Sequence, residues 1–97
     1  MLLHTLNAGP DSAAFAQCIQ LLQADDALLL MGDGVYAALI NSSASAVLTL
    51  SGARVYVLQP HAAAAGILAR LSKDVIRAGY NQFVLLTEQY AKQQAWY

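Results

Sequence analysis

Apolar residues run along this chain in two rhythms. Leu28, Leu29, Leu30 and Met31 are apolar at every position, which leaves no side for water and predicts a strand buried on both faces, central in a parallel sheet. Gly32-Asp33-Gly34 interrupts the run. Its glycines allow a sharp turn, and Asp33 is placed to accept hydrogen bonds from the free amides of a new helix. Residues 35–40 read as helical, so residues 28–39 form one unit of strand, turn and helix. The rest of the chain lays further units of this kind beside it.

Residues 1–6 are a strand candidate containing His4 and Thr5, closed by the loop residues Gly9-Pro10. Asp11 or Ser12 caps a helix whose stripe Ala14, Phe15, Cys18, Leu21 and Leu22 recurs at spacings of three and four, with Gln17, Gln20 and Gln23 off that face. Asp25-Asp26 leads into the central strand. The helix after the turn breaks at Asn41-Ser42-Ser43, whose side chains compete for backbone groups. Residues 44–50 form a second short helix or continue the first. Val55, Tyr56, Val57 and Leu58 make a third strand, β-branched and aromatic. Pro60 opens a helix at a position where no N–H is needed, with Ala64, Ile67, Leu68 and Leu71 as its packed stripe. Val75-Ile76 is a brief strand. Asn81 caps a last helix carrying Phe83, Leu86 and Tyr90, with Glu88 placed to pair Lys92. This alternation predicts a three-layer α/β/α sandwich around a small, mainly parallel sheet of about four strands, in one domain spanning residues 1–97.

Composition changes the picture at the surface. Apolar residues make up 58% of the chain and charged residues 11%, against about 25% charged in ordinary soluble domains. So thin a polar cover implies that part of the surface belongs to a partner, as in obligate subunits. A terminal Trp96-Tyr97 pair is a large aromatic area to leave in water, and with Asp33 and Tyr36 it makes up the candidate interface. The formal net charge of −1 lacks the basic footprint of a direct nucleic-acid binder. A single cysteine and no recognisable leader point to the cytoplasm. The longest apolar run, residues 62–69, falls far short of the ~20 residues that span a bilayer.

Candidate chemistry is sparse. Cys18 is the one possible nucleophile, but it sits two turns into its helix on the apolar stripe, away from the cation, histidine or helix N-terminus that would activate a thiol. It reads as a small buried hydrophobe. His4 and His61 have no ligand partners at metal-binding spacing, so each is a structural or surface histidine; no metal and no cofactor is expected. Gly32-Asp33-Gly34 lies where α/β sheets hold ligands, yet it lacks the third glycine of a dinucleotide fingerprint, and Asp33 repels phosphate. It reads as a structural turn. Arg70, Lys73 and Arg77 form the basic cluster, read as a solvated helix end whose cations complement the dipole. No Ser/His/Asp or paired-carboxylate arrangement stands out.

Longer matches carry more information. Leu3-His4-Thr5-Leu6-Asn7 with Pro10, Leu28-Leu29-Leu30 with Asp33-Gly34-Val35-Tyr36-Ala37-Ala38, Val55-Tyr56-Val57-Leu58, Tyr80-Asn81-Gln82-Phe83-Val84-Leu85-Leu86-Thr87, and Gln94-Ala95-Trp96 together resemble the TusB/DsrH family from end to end. The resemblance implies a DsrEFH-like fold and a non-catalytic subunit of a sulfur-relay assembly. In such assemblies TusB-like chains join TusC-like and TusD-like paralogues in a heterohexamer, a dimer of heterotrimers. The complex takes persulfide sulfur from TusA and passes it through TusE toward 2-thiolation of the tRNA wobble uridine. The family places the sulfur-carrying cysteine on the TusD-like subunit. Its DsrH branch, tied to dissimilatory sulfur oxidation, has a cysteine near the place of Cys18, which keeps a direct sulfur carrier as the alternative; a small-ligand binder at Asp33 is a third reading. The family's Ala-Arg-Gly after the third strand is Ala64-Ala65-Gly66 in this chain.

Overall fold

Leu28 and Leu30 project to one face of a sheet and Leu29 to the other, and all three are fully buried, as an uninterrupted apolar strand requires. The computed structural model describes residues 1–97. Five strands, β1 (Leu3–Leu6), β2 (Ala27–Leu30), β3 (Arg54–Leu58), β4 (Ile76–Ala78) and β5 (Gln93–Trp96), form one sheet in the order β4-β3-β2-β1-β5. Every pairing is parallel, with Leu6 facing Leu30 on one side and Trp96 on the other. The helices are α1 (Ala13–Leu21), α2 (Ser43–Leu50), α3 (Gln59–Ala64) and α4 (Tyr80–Gln89), with 3-10 segments at Gly32–Ala38 and Leu68–Arg70.

The two faces are unequal. On one, α1, α2, α3 and the first 3-10 segment close over Leu6, Leu28, Leu30, Val55 and Val57 in a cluster of 15 buried residues, whereas the other has only 7. There α4 crosses alone from edge strand β4 to edge strand β5, laying Leu86 and Tyr90 on Leu3, Ala27, Leu29, Leu58 and Ala78. One helix cannot cover five strands, so Tyr56 is only half-buried and Ile76 is 47% exposed. The sandwich thus has its three layers, with the outer two of different thickness.

Several local expectations hold. Ser12 caps α1 by accepting the Phe15 N–H at 3.1 Å, and Pro60 lies in the first turn of α3; Ser42, read only as part of a polar helix break, caps α2 by accepting the Ser45 N–H at 3.1 Å. Others need correction. The sheet has five strands, because residues 93–96 pair with β1. In α1 it is Ile19 that packs against the core, while Leu21, in the last turn, is 56% exposed. Helix α3 stops at Ala64, leaving Ala64 exposed and bringing Ile67 to the core from the loop beyond Gly66. Gly79, not Asn81, caps α4, with the Gln82 side chain accepting its N–H at 2.8 Å. Helix α4 ends before Lys92, and Glu88 does not pair with it.

The segment after β2 is a 3-10 helix and not an α-helix, capped by the Met31 backbone with no help from the Asp33 side chain. Close packing explains its shape. Gly32 takes φ 53°, and a Cβ on buried Gly34 would run into the backbone carbonyl of Leu6, so the segment lies against the end of β1 with no room for a side chain. Gly34→Ala is therefore expected to cost about 1–3 kcal/mol of stability through overpacking, measured by urea denaturation; unchanged stability would show that β1 yields freely at Leu6.

Candidate functional site

Two constellations of polar side chains emerge, one buried and one open. The buried one begins at Asp26, 3% exposed, at the entrance to β2. Its carboxylate accepts the backbone N–H of Leu2 at 2.8 Å and of Gln23 at 2.9 Å, and meets Nε2 of His4, on β1, at 3.0 Å. On the other side of the His4 ring, the indole N–H of Trp96 on β5 donates to Nδ1 at 3.1 Å. An indole can only donate, so Nδ1 must be unprotonated and the imidazole proton sits on Nε2, pointing at Asp26. The rings lie 15° from coplanar with centroids 6.3 Å apart, as an edge-to-edge hydrogen bond requires. Burial alone would raise the Asp26 pKa, but the hydrogen bonds from Gln23, His4 and Leu2 outweigh it and hold the carboxyl below its ordinary value.

This chain of groups was not legible as a pair in the sequence. The available signal was Asp26 itself: a carboxylate one residue before an all-apolar strand cannot face solvent unless the strand's start does. The arrangement resembles an acid–base pair without a nucleophile, since the position beyond the imidazole is occupied by an indole N–H. It orients strands and holds no reacting group.

Cys18 lies on the inner side of α1, fully buried. Desolvation, helped by the negative charge of Asp26, pushes its thiol up to about 11, so the thiolate is scarce near neutral pH. Trp96 is half-buried against the larger core, and Tyr97 is 86% exposed. Arg70, Lys73 and Arg77 do not end an α-helix: they spread over a 3-10 turn, a loop and edge strand β4, where Arg77 donates to the Leu68 carbonyl at 2.9 Å. No three His, Cys, Asp or Glu side chains gather as a metal site.

The open constellation lies at the carboxyl ends of β2 and β3, where parallel α/β sheets hold ligands. Gly32, Asp33, Tyr36, His61, Ala64 and Ala65 line a hollow of about 340 Å³. The Gly32 N–H donates to Nδ1 of His61 at 2.8 Å, so this histidine also carries its proton on Nε2. Asp33 and Tyr36 are thus brought together with His61, while Trp96 belongs to the buried chain and Tyr97 stands apart from both.

Fold and site together define a small parallel α/β domain with an enclosed thiol and an open polar hollow at its strand ends. Residues 10–93 match the family described as DsrH like protein. Protein TusB of Pectobacterium atrosepticum is 38% identical over 95 residues, covering 98% of this chain and 100% of that protein, and Protein TusB of Escherichia coli O81 matches to the same extent. Protein Tm0979 from Thermotoga maritima, solved by NMR, superposes with a TM-score of 0.69 at 27% identity over 92% of this chain and 93% of that one. The ychN protein from E. coli shares the fold, with a TM-score of 0.73 at 19% identity over 97% of both chains. The chain belongs to the TusB/DsrH family.

A carboxyl whose folded pKa is depressed contributes stability above its unfolded value, near 3.8, and loses it as pH falls through the folded value. Asp26→Asn, which turns an NH₂ toward backbone donors, is expected to cost about 1–3 kcal/mol at neutral pH, with the gap to the wild type closing in acid. Denaturation at a series of pH values checks this; a gap independent of pH would assign the loss to packing alone.

Proposed function

We propose that this chain is the TusB-type subunit of a sulfur-relay assembly acting in tRNA modification, joined to TusC-like and TusD-like paralogues in a dimer of heterotrimers. In this reading the complex receives persulfide sulfur from TusA and hands it through TusE toward 2-thiolation of the wobble uridine, in the cytoplasm. The observation that carries it is full-length similarity to TusB proteins at 38% identity. No helix is long and apolar enough to cross a membrane.

The surface agrees with a subunit role. Tyr80, Val84 and Leu85 on α4, and Val47 and Leu50 on α2, are large apolar side chains exposed by 38–85%, and such exposure in a chain with 11% charged residues calls for partners. Asp33, Tyr36 and Tyr97 belong to the proposed contact surface; Trp96 supports it from beneath by holding β5 to His4. The sulfur-carrying cysteine is assigned to the TusD-like subunit. Burial of Cys18 and its raised pKa work against the alternative in which this thiol carries a persulfide.

Co-expression with the TusC-like and TusD-like paralogues is expected to yield a stable stoichiometric complex; a chain that stays monomeric beside them would refute the reading. In the reconstituted complex Cys18→Ala is expected to leave sulfur transfer intact, and its abolition would restore the direct carrier.

A further inference from the structure

The line from Asp26 through His4 to Trp96 is built for one protonation state of its central ring. His4 is fully buried on β1, with Nε2 at 3.0 Å from the Asp26 carboxylate and Nδ1 at 3.1 Å from the Trp96 indole nitrogen. A neutral imidazole serves both neighbours, donating to the carboxylate and accepting from the indole, whereas an imidazolium donates from both nitrogens. Toward Asp26 the added charge strengthens the contact, because a buried cation needs a paired anion and one is already in place. Toward Trp96 it sets N–H against N–H. The two sides of the ring therefore answer a proton in opposite senses.

Few other groups bear on the ring. Burial would raise the Asp26 carboxyl, but hydrogen bonds from Gln23, His4 and Leu2 hold it below its ordinary value, so it stays ionised where an imidazole titrates. The one titratable side chain on α1 is Cys18, whose thiol, pushed up to about 11, is neutral in that range. Strand β5 carries no charged side chain, and Lys92 and Tyr97 on either side of it are exposed, as are Met1, Asp25 and Arg54 around Asp26. His61, the other histidine, is tied to Gly32 on α3, away from β5.

The strand that carries the indole is lightly held. Gln93, Gln94 and Ala95 are exposed, and Trp96 alone packs against the core. Otherwise β5 rests on backbone bonds to β1, among them the Leu3 N–H to the Lys92 carbonyl at 3.1 Å and the Asn7 N–H to the Trp96 carbonyl at 3.0 Å. As an edge strand it can leave without breaking any other pairing.

We propose that His4 is a proton-operated latch for β5: protonation at Nδ1 keeps the ring on Asp26, turns an acceptor into a donor against the Trp96 indole, and releases residues 93–97 while β1 to β4 stay paired. Release frees the aromatic end of the chain and uncovers one edge of β1. The latch belongs to the chain itself and does not depend on the partners proposed above.

Amide exchange followed by NMR on the intact chain, from about pH 8 to about pH 5 and corrected for the intrinsic pH dependence of exchange, tests this. Leu3 and Asn7 report on β5; Ala27 and Met31, whose N–H groups donate to the carbonyls of Leu2 and Leu6, report on the pairing of β1 with β2. The released form holds one more proton, so protection at Leu3 and Asn7 is expected to fall by up to about tenfold per pH unit as the His4 nitrogen signals show the second proton, with Ala27 and Met31 unchanged. Trp96→Phe has no N–H to oppose the imidazolium, and its Leu3 and Asn7 protection is expected not to vary with pH. Constant protection at Leu3 and Asn7 in the wild type would overturn the latch, whether or not His4 titrates. So would loss in step with Ala27 and Met31, which means that the sheet opens as a whole, or an undiminished pH dependence in Trp96→Phe. The wild-type amides decide alone if that variant does not fold.

Discussion

A carboxylate with almost no solvent around it fixes how this sheet closes. Asp26 is held by amides from both sides of the chain, Leu2 before β1 and Gln23 after α1, and through His4 it reaches Trp96 on the last strand. Three strands and the α1–β2 loop therefore meet in one line of hydrogen bonds. Each group in that line is satisfied, and no buried side-chain nitrogen or oxygen is left without a partner. Such chains are demanding because loss of one member strands the others in a medium of low dielectric. They also specify: β5, with three of its four residues exposed, has little hydrophobic reason to choose its place beside β1, and the indole N–H supplies one.

The second constraint is steric and it shapes the surface. Gly34 lies against the Leu6 carbonyl, which presses the segment after β2 into a 3-10 helix. Val35, Ala37 and Ala38 turn into the core while Asp33 and Tyr36 turn out, toward the edge where His61 is tied to Gly32. The same turn that completes the core thus prepares the exposed polar hollow. The lighter cover on the opposite face, a single helix over five strands, leaves apolar side chains at α4 and β4 in water. Both features suit a chain whose work is done in contact with others.

Much of this could be read from residue pattern. The all-apolar strand at 28–31, its glycine turn, the Ser12 cap and the third strand follow from local physics, and the parallel three-layer fold follows from their alternation. What escaped was settled by tertiary contact. Strand β5 has the sequence Gln-Gln-Ala-Trp, with no alternation to mark it, and forms because an edge of β1 and an acceptor on His4 await it. Leu21 fits the helical stripe but falls in the final turn, beyond the sheet's cover. Asp26 reads in the sequence only as part of the lead-in to the central strand; its place one residue before an all-apolar run signals burial, but its partners Leu2 and His4 lie 24 and 22 residues away in the chain and join it only through strand pairing. At the hollow, Asp33 and Tyr36 were legible as surface candidates, but His61 lies 25 residues beyond Tyr36 and joins them only through the packing of α3 on the turn.

The protonation pattern of the His4 ring tests this account most directly, because the line from Asp26 to Trp96 exists only if Nδ1 accepts and Nε2 donates. Long-range proton–nitrogen NMR correlation on the imidazoles of the folded chain reads that pattern without any substitution. The account predicts the Nε2–H tautomer for His4, with the Trp96 indole proton shifted downfield and slow to exchange. A His4 ring protonated on Nδ1, with a freely exchanging indole proton, would contradict it.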